Sequence, residues 1–172
     1  MLALILATLV LVAASPLQER AQLLPRAETI QMVWRGNGKK IATCSGGGPN
    51  GPRNGDPLTL LRGGVRYCGT PWTRVGQTYQ SGYADGPFLG RCIDSTLDLR
   101  NGVRPHMWDC IPGAFQQQWV QHSNGWIELK GHGLCLDVVD GNSDNGIQLW
   151  ECSEGNINQQ WDVGPFVYSL GP

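Results

Sequence analysis

Four side chains near the end of the chain have the types and spacing needed to hold a small polyhydroxylated molecule. Asp137 lies on one predicted strand, Gln148 and Trp150 lie on the next, and Asn158 follows shortly afterwards. A carboxylate accepts strong, charge-assisted hydrogen bonds from hydroxyl groups, and an amide both donates and accepts. An indole ring offers a flat apolar face on which the C–H face of a sugar can lie. The set therefore predicts a sugar-binding site that needs neither a metal ion nor a titrating group.

The alternation of apolar and polar residues predicts that these side chains share one face. In the stretch IQLWE, the aliphatic residues point inward, so Gln148 and Trp150 point outward. On the preceding strand, the same alternation turns Cys135 and Asp137 outward. A disulfide from Cys135 to Cys152 would join the two outer faces and place Asp137 beside Gln148 and Trp150.

The same pattern occurs one period earlier in the chain. The matched segments are Cys92-Ile93-Asp94 with Cys135-Leu136-Asp137, Met107-Trp108-Asp109-Cys110 with Leu149-Trp150-Glu151-Cys152, and Gln117-Gln118-Trp119 with Gln159-Gln160-Trp161. Self-similarity at a period of about 42 residues predicts supersecondary units that bury their apolar faces on one another.

Composition favours an all-β domain. The 172 residues include 24 Gly and 11 Pro, with short β-branched stretches and few runs that favour helices. The net charge is −1, and the Lys and Arg residues are scattered along the chain. Nucleic-acid binding, which needs a basic patch, and electrostatic membrane binding are therefore not expected.

The cysteines and the first residues indicate secretion. Six cysteines in so short a chain predict disulfides, Cys92–Cys110 and Cys135–Cys152 among them, and hence an oxidising compartment. Residues 1–14 form a small-and-apolar run typical of a signal peptide; a structural helix or a membrane anchor is the alternative. Residues 15–29 are then a lead-in or a short propeptide.

The domain is predicted to span residues 30–166, with repeats at about 30–82, 83–122 and 123–166. The first repeat is degenerate, although the spacing from Cys44 to Trp72 is close to the Cys–Trp spacing of the other two. Cys68, four residues before Trp72, could pair with Cys44, and the sequence leaves this disulfide open. Residues 45–57 are predicted to form a long Gly/Pro/Asn loop.

The Cys-x-Asp starts and Gln-x-Trp ends resemble those of the ricin B-type lectin family, in particular its small secreted fungal members. The resemblance covers residues 85–163 well and 30–82 poorly. It implies a β-trefoil of three four-stranded repeats, with Trp119 and Trp161 in the core. It also implies that five residues of the last repeat bind carbohydrate, and that the loop before Ile147 is two residues shorter than usual. The five residues are Asp137, Gln148, Trp150, Asn158 and Gln159.

The other two repeats keep less of the implied site. The middle repeat offers a second candidate carbohydrate site composed of Asp94, His106, Trp108, Gln116 and Gln117. His106 replaces the family's third-strand Gln, and Gln116 replaces its Asn. In the first repeat the alignment puts Gly46 in the place of the Asp, Thr59 in that of the Gln and Leu61 in that of the aromatic residue, so no site is expected there.

The sequence predicts a binding protein without a cofactor, not an enzyme. It contains neither a nucleophile elbow nor a zinc-protease helix, and its cysteines lack the spacing of zinc ligands. Two other functions remain open: a protease inhibitor or protein-interaction module that acts through exposed loops such as 45–57, and a detached carbohydrate-targeting module. The sugar is also open, because galactose, N-acetylgalactosamine, mannose-type and xylan-type ligands all fit a carboxylate beside an indole. No feature of the sequence predicts the oligomeric state.

Overall fold

The computed structural model describes residues 27–44, 51–61, 68–82 and 90–167. The predicted signal peptide and all but the last three residues of the lead-in lie outside these ranges. So do residues 45–50 of the predicted loop, which include Gly46.

Almost all regular structure is β. The strands are β1 (Glu28–Trp34), β2 (Ile41–Cys44), β3 (Leu58–Leu60), β4 (Cys68–Gly69), β5 (Trp72–Val75), β6 (Thr78–Ser81), β7 (Cys92–Asp94), β8 (His106–Trp108), β9 (Trp119–Gln121), β10 (Ile127–Leu129), β11 (Leu134–Val138), β12 (Ile147–Glu151) and β13 (Trp161–Pro165). Single 3-10 turns span Phe115–Gln117, Val139–Gly141 and Ile157–Gln159. No helix in the described ranges is long and apolar enough to cross a membrane.

The strands form three antiparallel sheets that enclose one core. Their orders are β13-β1-β5-β6-β7-β8, β12-β11-β10-β9 and β3-β2-β4. β1 pairs with β13 from Ile30↔Pro165 to Trp34↔Trp161, so the two ends of the domain meet in one sheet. β1 therefore lies between β13 and β5, and the last strand is paired with the first.

Three equivalent tryptophans define the internal symmetry. Trp72, Trp119 and Trp161 are fully buried, and each indole N–H donates to a backbone carbonyl on an earlier strand of its own repeat, β2, β7 or β11. The pairs are Trp72 with Ile41 at 3.1 Å, Trp119 with Ile93 at 3.1 Å and Trp161 with Leu136 at 2.9 Å. A buried indole needs such a partner for its N–H. One bond in each of three repeats is the arrangement of a β-trefoil, as the resemblance implies.

These bonds correct the alignment of the first repeat. Ile41 is the counterpart of Leu136, so the next residue, Ala42, stands where the other repeats have their Asp. Ala42 pairs with Thr59 across the sheet, as Asp137 pairs with Gln148. The assignment of Gly46 to the Asp position is therefore wrong. The tryptophan and its hydrogen-bonded carbonyl are 31 residues apart in the first repeat, against 26 and 25 in the other two. An alignment that starts from Cys44 therefore shifts the other residues of this longer repeat out of register.

All six cysteines are paired, as Cys44–Cys68, Cys92–Cys110 and Cys135–Cys152. The last two confirm the predicted pairs. Each joins the strand that carries an Asp to a residue that follows the strand paired with it, β8 or β12. Cys44–Cys68 is different, since it joins β2 directly to β4. Loops of this size give disulfides worth roughly 3 kcal/mol, which helps a small domain with a limited core.

Candidate functional site

β11 and β12 place the site residues of the last repeat side by side. Asp137 pairs with Gln148 across the sheet, and Cys135 pairs with Trp150. The disulfide from Cys135 to Cys152 fixes the two strands at this point. Asp137 is only 3% exposed, whereas Trp150 is 42% exposed, so the carboxylate forms the floor and the indole a wall. The predicted alternation of β12 is confirmed.

Asp137 is a buried carboxylate held by neutral amides. Its Oδ1 accepts from Gln148 Nε2 at 2.9 Å, and its Oδ2 accepts from Asn156 Nδ2 at 3.3 Å. Burial raises the pKa of Asp137, hydrogen bonds from Gln148, Gln159 and Asn156 pull it down, and the charge of Asp140 raises it again. The net shift is upward. The donors therefore fix the orientation of the Asp137 carboxylate, and most of this carboxylate is shielded from water.

Gln159 links the end of β12 to the turn that follows. Its side chain is fully buried, its Nε2 donates to the carbonyl of Glu151 at 2.9 Å, and its Oε1 accepts from the N–H of Ser153 at 2.8 Å. Buried backbone groups that would lack partners are satisfied in this way. The main contacts of Gln159 therefore hold backbone in place beneath the site.

Asn156 is a site residue that the sequence analysis missed. It donates to Asp137, and its Oδ1 accepts from the backbone N–H of Asn158 at 3.1 Å, which caps the turn Ile157–Gln159. An Asn just before a short helical turn is a recognised capping signal, and this position could have been found from it. Asn158 is half-buried, and a Cβ on Gly141 would lie 3.0 Å from its Oδ1. Glycine at 141, with φ of +64°, permits this close approach.

The loop between β11 and β12 forms the rim of this site and is held by two basic residues from other repeats. Lys39 Nζ donates to Ser143 Oγ at 2.7 Å. Arg104 Nη1 donates to the carbonyl of Asn145. Asp140, exposed at the start of the loop, has a left-handed backbone with φ of 55° and ψ of 19°. Such a conformation is uncommon outside glycine, although Asp and Asn tolerate it.

The middle repeat reproduces the floor and the wall of this site. Asp94 pairs with His106, and Cys92 pairs with Trp108. Asp94 is 4% exposed and Trp108 is 39% exposed, values close to those of their counterparts. Gln117 Nε2 donates both to Asp94 Oδ2 at 2.9 Å and to the carbonyl of Asp109 at 2.8 Å.

His106 makes the middle repeat different. Its Nε2 lies 3.9 Å from Asp94 Oδ1, too far for the hydrogen bond that Gln148 makes to Asp137. Instead, Asp94 Oδ1 accepts from the N–H of Thr96 at 2.7 Å. The His106 ring lies 5.4 Å from that of Trp108 at 57°, so two aromatic surfaces border this carboxylate. Gln116, the counterpart of Asn158, is half-buried.

Comparison with known proteins identifies the family. The sequence profile of the ricin-type beta-trefoil lectin domain matches residues 80–165, which are half of the chain. The chain belongs to this family.

Solved structures share the fold of this lectin domain at low sequence identity. The agglutinin of Abrus precatorius aligns with a TM-score of 0.60 and 18% identity over 81% of this chain. The alignment covers about half, 49%, of the length of the agglutinin chain. The C-half of an earthworm R-type lectin, solved in complex with GalNAc, aligns with a TM-score of 0.55 and 18% identity over 79% of this chain and 97% of its own. A designed threefold-symmetric protein, ThreeFoil, aligns with a TM-score of 0.59 and 19% identity. The alignment covers 80% of this chain and 99% of ThreeFoil.

The first repeat of the lectin domain lacks the equivalent polar groups. Ala42 stands in the place of the carboxylate, Thr59 Oγ1 bonds locally to the carbonyl of Leu60 at 3.3 Å, and Leu61 stands where the others have Trp. Across the described ranges, no group of three or more His, Cys, Asp or Glu side chains is placed to hold a metal ion.

Proposed function

We propose that this protein is a carbohydrate-binding lectin whose main site is formed by Asp137, Gln148, Trp150, Asn158 and Gln159. The observation that carries the proposal is the pair of Asp137 and Trp150, a buried carboxylate beside a tryptophan that is 42% exposed. The exposed ring offers a flat apolar surface, and the carboxylate next to it offers a strong hydrogen-bond acceptor. A sugar matches both features, since it has an apolar face and a polar edge.

In the proposed mode of binding, a sugar ring lies against Trp150 and two neighbouring hydroxyls donate to Asp137. The amides of Gln148 and Asn156 already hold the two carboxylate oxygens in position, so little ordering is needed on binding. Asn158 lies half-buried next to Gly141 and offers a further amide. One shallow site of this kind supports a dissociation constant of roughly 0.01–1 mM, about −4 to −7 kcal/mol.

We propose the middle repeat as a second and weaker site, formed by Asp94, His106, Trp108, Gln116 and Gln117. The near-equal exposure of Trp108 and Trp150 supports it, and the lack of a donor from His106 to Asp94 argues for lower affinity. Two sites on one rigid domain raise the avidity for a multivalent glycan far above that of either alone.

We also propose that the protein is secreted and has no enzymatic activity. Three disulfides are typical of oxidising compartments, and the apolar run at 1–14 supports a signal peptide. The lectin domain would then span residues 30–166, and β1 extends it to Glu28.

The described part of loop 45–57, residues 51–57, packs on the middle repeat and does not favour a protease inhibitor. In the described half of this loop, the N–H of Gly55 donates to the carbonyl of Met107 at 2.8 Å, and the N–H of Met107 donates to the carbonyl of Asp56 at 2.8 Å. This backbone is therefore used to pack the first repeat on β8, much as Gly102 and Val103 pack on Leu149.

A glycan array tests the proposal. The wild-type protein, Asp137→Asn and the control Asp162→Asn would be applied to the same array. Asp162 is exposed on β13 and hydrogen-bonded to Arg35 at 2.7 Å, so its variant makes the same charge change at a residue outside both candidate sites. We expect wild type and Asp162→Asn to bind the same glycans and Asp137→Asn to lose most of the signal. A folded wild-type protein that binds no glycan would contradict the lectin function.

A further inference from the structure

The carboxylate of Asp137 is buried without a compensating cation. Its hydrogen-bond donors are neutral amides, among them those of Gln148 and Asn156, and none of the ion pairs among the described residues includes it. Buried charges are normally paired. The last-repeat site therefore has an excess negative charge on its floor before any ligand arrives.

A second carboxylate lies at the rim of the same site. Asp140 belongs to the turn Val139–Gly141, and the next residue, Gly141, packs against Oδ1 of Asn158. The turn is fixed by the bond from Asn142 N to the carbonyl of Val139 at 2.9 Å. Oδ2 of Asp140 accepts only a long bond, 3.4 Å, from the neutral amide of Asn145. The charge of Asp140 reaches the floor, since it helps to raise the pKa of Asp137.

The middle repeat lacks a second unpaired carboxylate. Asp94 faces the His106 ring at 3.9 Å, an imidazole that carries charge only when it is protonated. The acid in its rim loop, Asp98, is paired with Arg100 at 2.8 Å. The two sites thus share the carboxylate and the tryptophan but differ in the charge that surrounds them.

We propose that the last-repeat site prefers an amino sugar with a free ammonium group, and that Asp140 determines this preference. The inference rests on the proposed sugar-binding function of the site. An ammonium group has three donors and no acceptor, so it can replace a hydroxyl as donor to Asp137 and form a charge-assisted bond. N-Acetylation removes this charge, and a uronic acid replaces the attraction with repulsion from both carboxylates.

Titration calorimetry with two series of four sugars tests the preference. The first series is galactosamine, galactose, N-acetylgalactosamine and galacturonic acid, and the second consists of the four corresponding derivatives of glucose. They are measured at about pH 6, where an aliphatic amine is protonated, in a Trp108→Ala background that silences the middle site. At low salt we expect the amino sugar of the accepted series to bind about three- to tenfold more tightly than the neutral sugar, and the uronic acid more weakly. High salt should reduce these differences by screening.

Asp140→Asn and Asp144→Asn form the matched pair of variants. Asn tolerates the left-handed backbone of position 140, so the fold should be kept and only the charge removed. Asp144 lies in the same loop but faces Lys39 at 3.9 Å, so its variant should keep the preference within about twofold. We expect Asp140→Asn to lose most of it. Neutral sugars that bind as well as amino sugars, or a preference unchanged in Asp140→Asn, would overturn this inference alone. Failure of every sugar to bind would overturn the proposed function as well.

Discussion

The indole nitrogen of Trp161 donates to the carbonyl of Leu136 at 2.9 Å, one residue before the carboxylate of the site. The strand that carries Asp137 is therefore tied to the most deeply buried ring of its repeat. The bond recurs between Trp119 and Ile93 beside Asp94. The core and the candidate sites share strands, so substitutions must be chosen with care to separate folding from binding.

The two tryptophans of the last repeat should separate those effects. Trp161 is 1% exposed and hydrogen-bonded, so Trp161→Ala should lower the free energy of unfolding by about 3–5 kcal/mol. Trp150 is 42% exposed, so Trp150→Ala should cost about 1 kcal/mol or less and weaken sugar binding at least tenfold. Urea denaturation and calorimetry measure the two quantities. Equal effects of both variants on stability would contradict the assignment of Trp150 as a ligand-binding surface.

Asp137 should give opposite pH dependences for binding and for stability. Burial, the largest cause, raises its pKa, so sugar affinity should be lost as pH falls through a value above the ordinary aspartate range near 3.9. A raised pKa means that the folded state holds the proton more tightly than the unfolded state. Its stabilising contribution is full below the unfolded pKa and is lost as pH rises through the folded pKa.

Asp137→Asn should remove both dependences with a nearly isosteric side chain, which keeps one of the two acceptor oxygens and replaces the other with an amide NH2 donor. We expect at least a tenfold loss of affinity at neutral pH and a thermal midpoint within a few degrees of wild type. Calorimetry and thermal unfolding between about pH 4 and pH 7 measure this. A strong loss of stability at neutral pH in the variant would show that the ionised carboxylate is structural.

The sequence predicted the last two repeats well because their signals are local. Alternation along β12 turned Gln148 and Trp150 to one face, and the Cys–Cys separations of the two repeats, 18 and 17 residues, are nearly equal. The first repeat was misaligned because the extra residues between Ile41 and Trp72 change its spacing. Only the tertiary bond between those two residues identifies Ala42 as the counterpart of Asp137.

Distances that depend on several loops were also beyond the sequence. The hydrogen bond from Asn156 to Asp137 joins residues 19 apart, and Lys39 reaches Ser143 from a different repeat. No periodic pattern encodes such contacts, because each is determined by how separately formed turns pack together. The residues of the floor and wall of the candidate site can therefore be predicted from the sequence, whereas the contacts of its rim depend on the folded chain.

The Cys44–Cys68 disulfide should stabilise the domain without affecting the site. It joins β2 to β4 in the repeat that lacks a carboxylate, so replacing both cysteines with Ser should cost about 3 kcal/mol and leave sugar affinity unchanged. The same double replacement at Cys135 and Cys152 should cost a similar amount and also weaken binding, because that bond lies beside Trp150. Urea denaturation and calorimetry on both variants decide the point, and unchanged affinity in the second would contradict it.

Gln159 should matter more for stability than its neighbour. Gln159→Ala leaves the N–H of Ser153 and the carbonyl of Glu151 without their partners, at a cost of roughly 2–4 kcal/mol. Gln160, half-buried one residue later, provides the control, and Gln160→Ala should cost less than about 1 kcal/mol. Hydrogen exchange at Ser153 would report the loss directly. Unchanged protection there would mean that the Gln159 side chain is not what protects this N–H from exchange.

The middle repeat should gain affinity from a single substitution. His106 lies opposite Asp94 at 3.9 Å, where Gln148 lies opposite Asp137 at 2.9 Å. His106→Gln would supply the missing donor, orientate the Asp94 carboxylate and leave the paired register of β7 and β8 unchanged. In a Trp150→Ala background, which silences the last repeat, we expect a gain of about three- to tenfold for the sugar that the last repeat prefers, because one ordered hydrogen bond contributes about 1 kcal/mol. A fall in affinity would instead show that the His106 ring, tilted against Trp108, contacts the sugar itself.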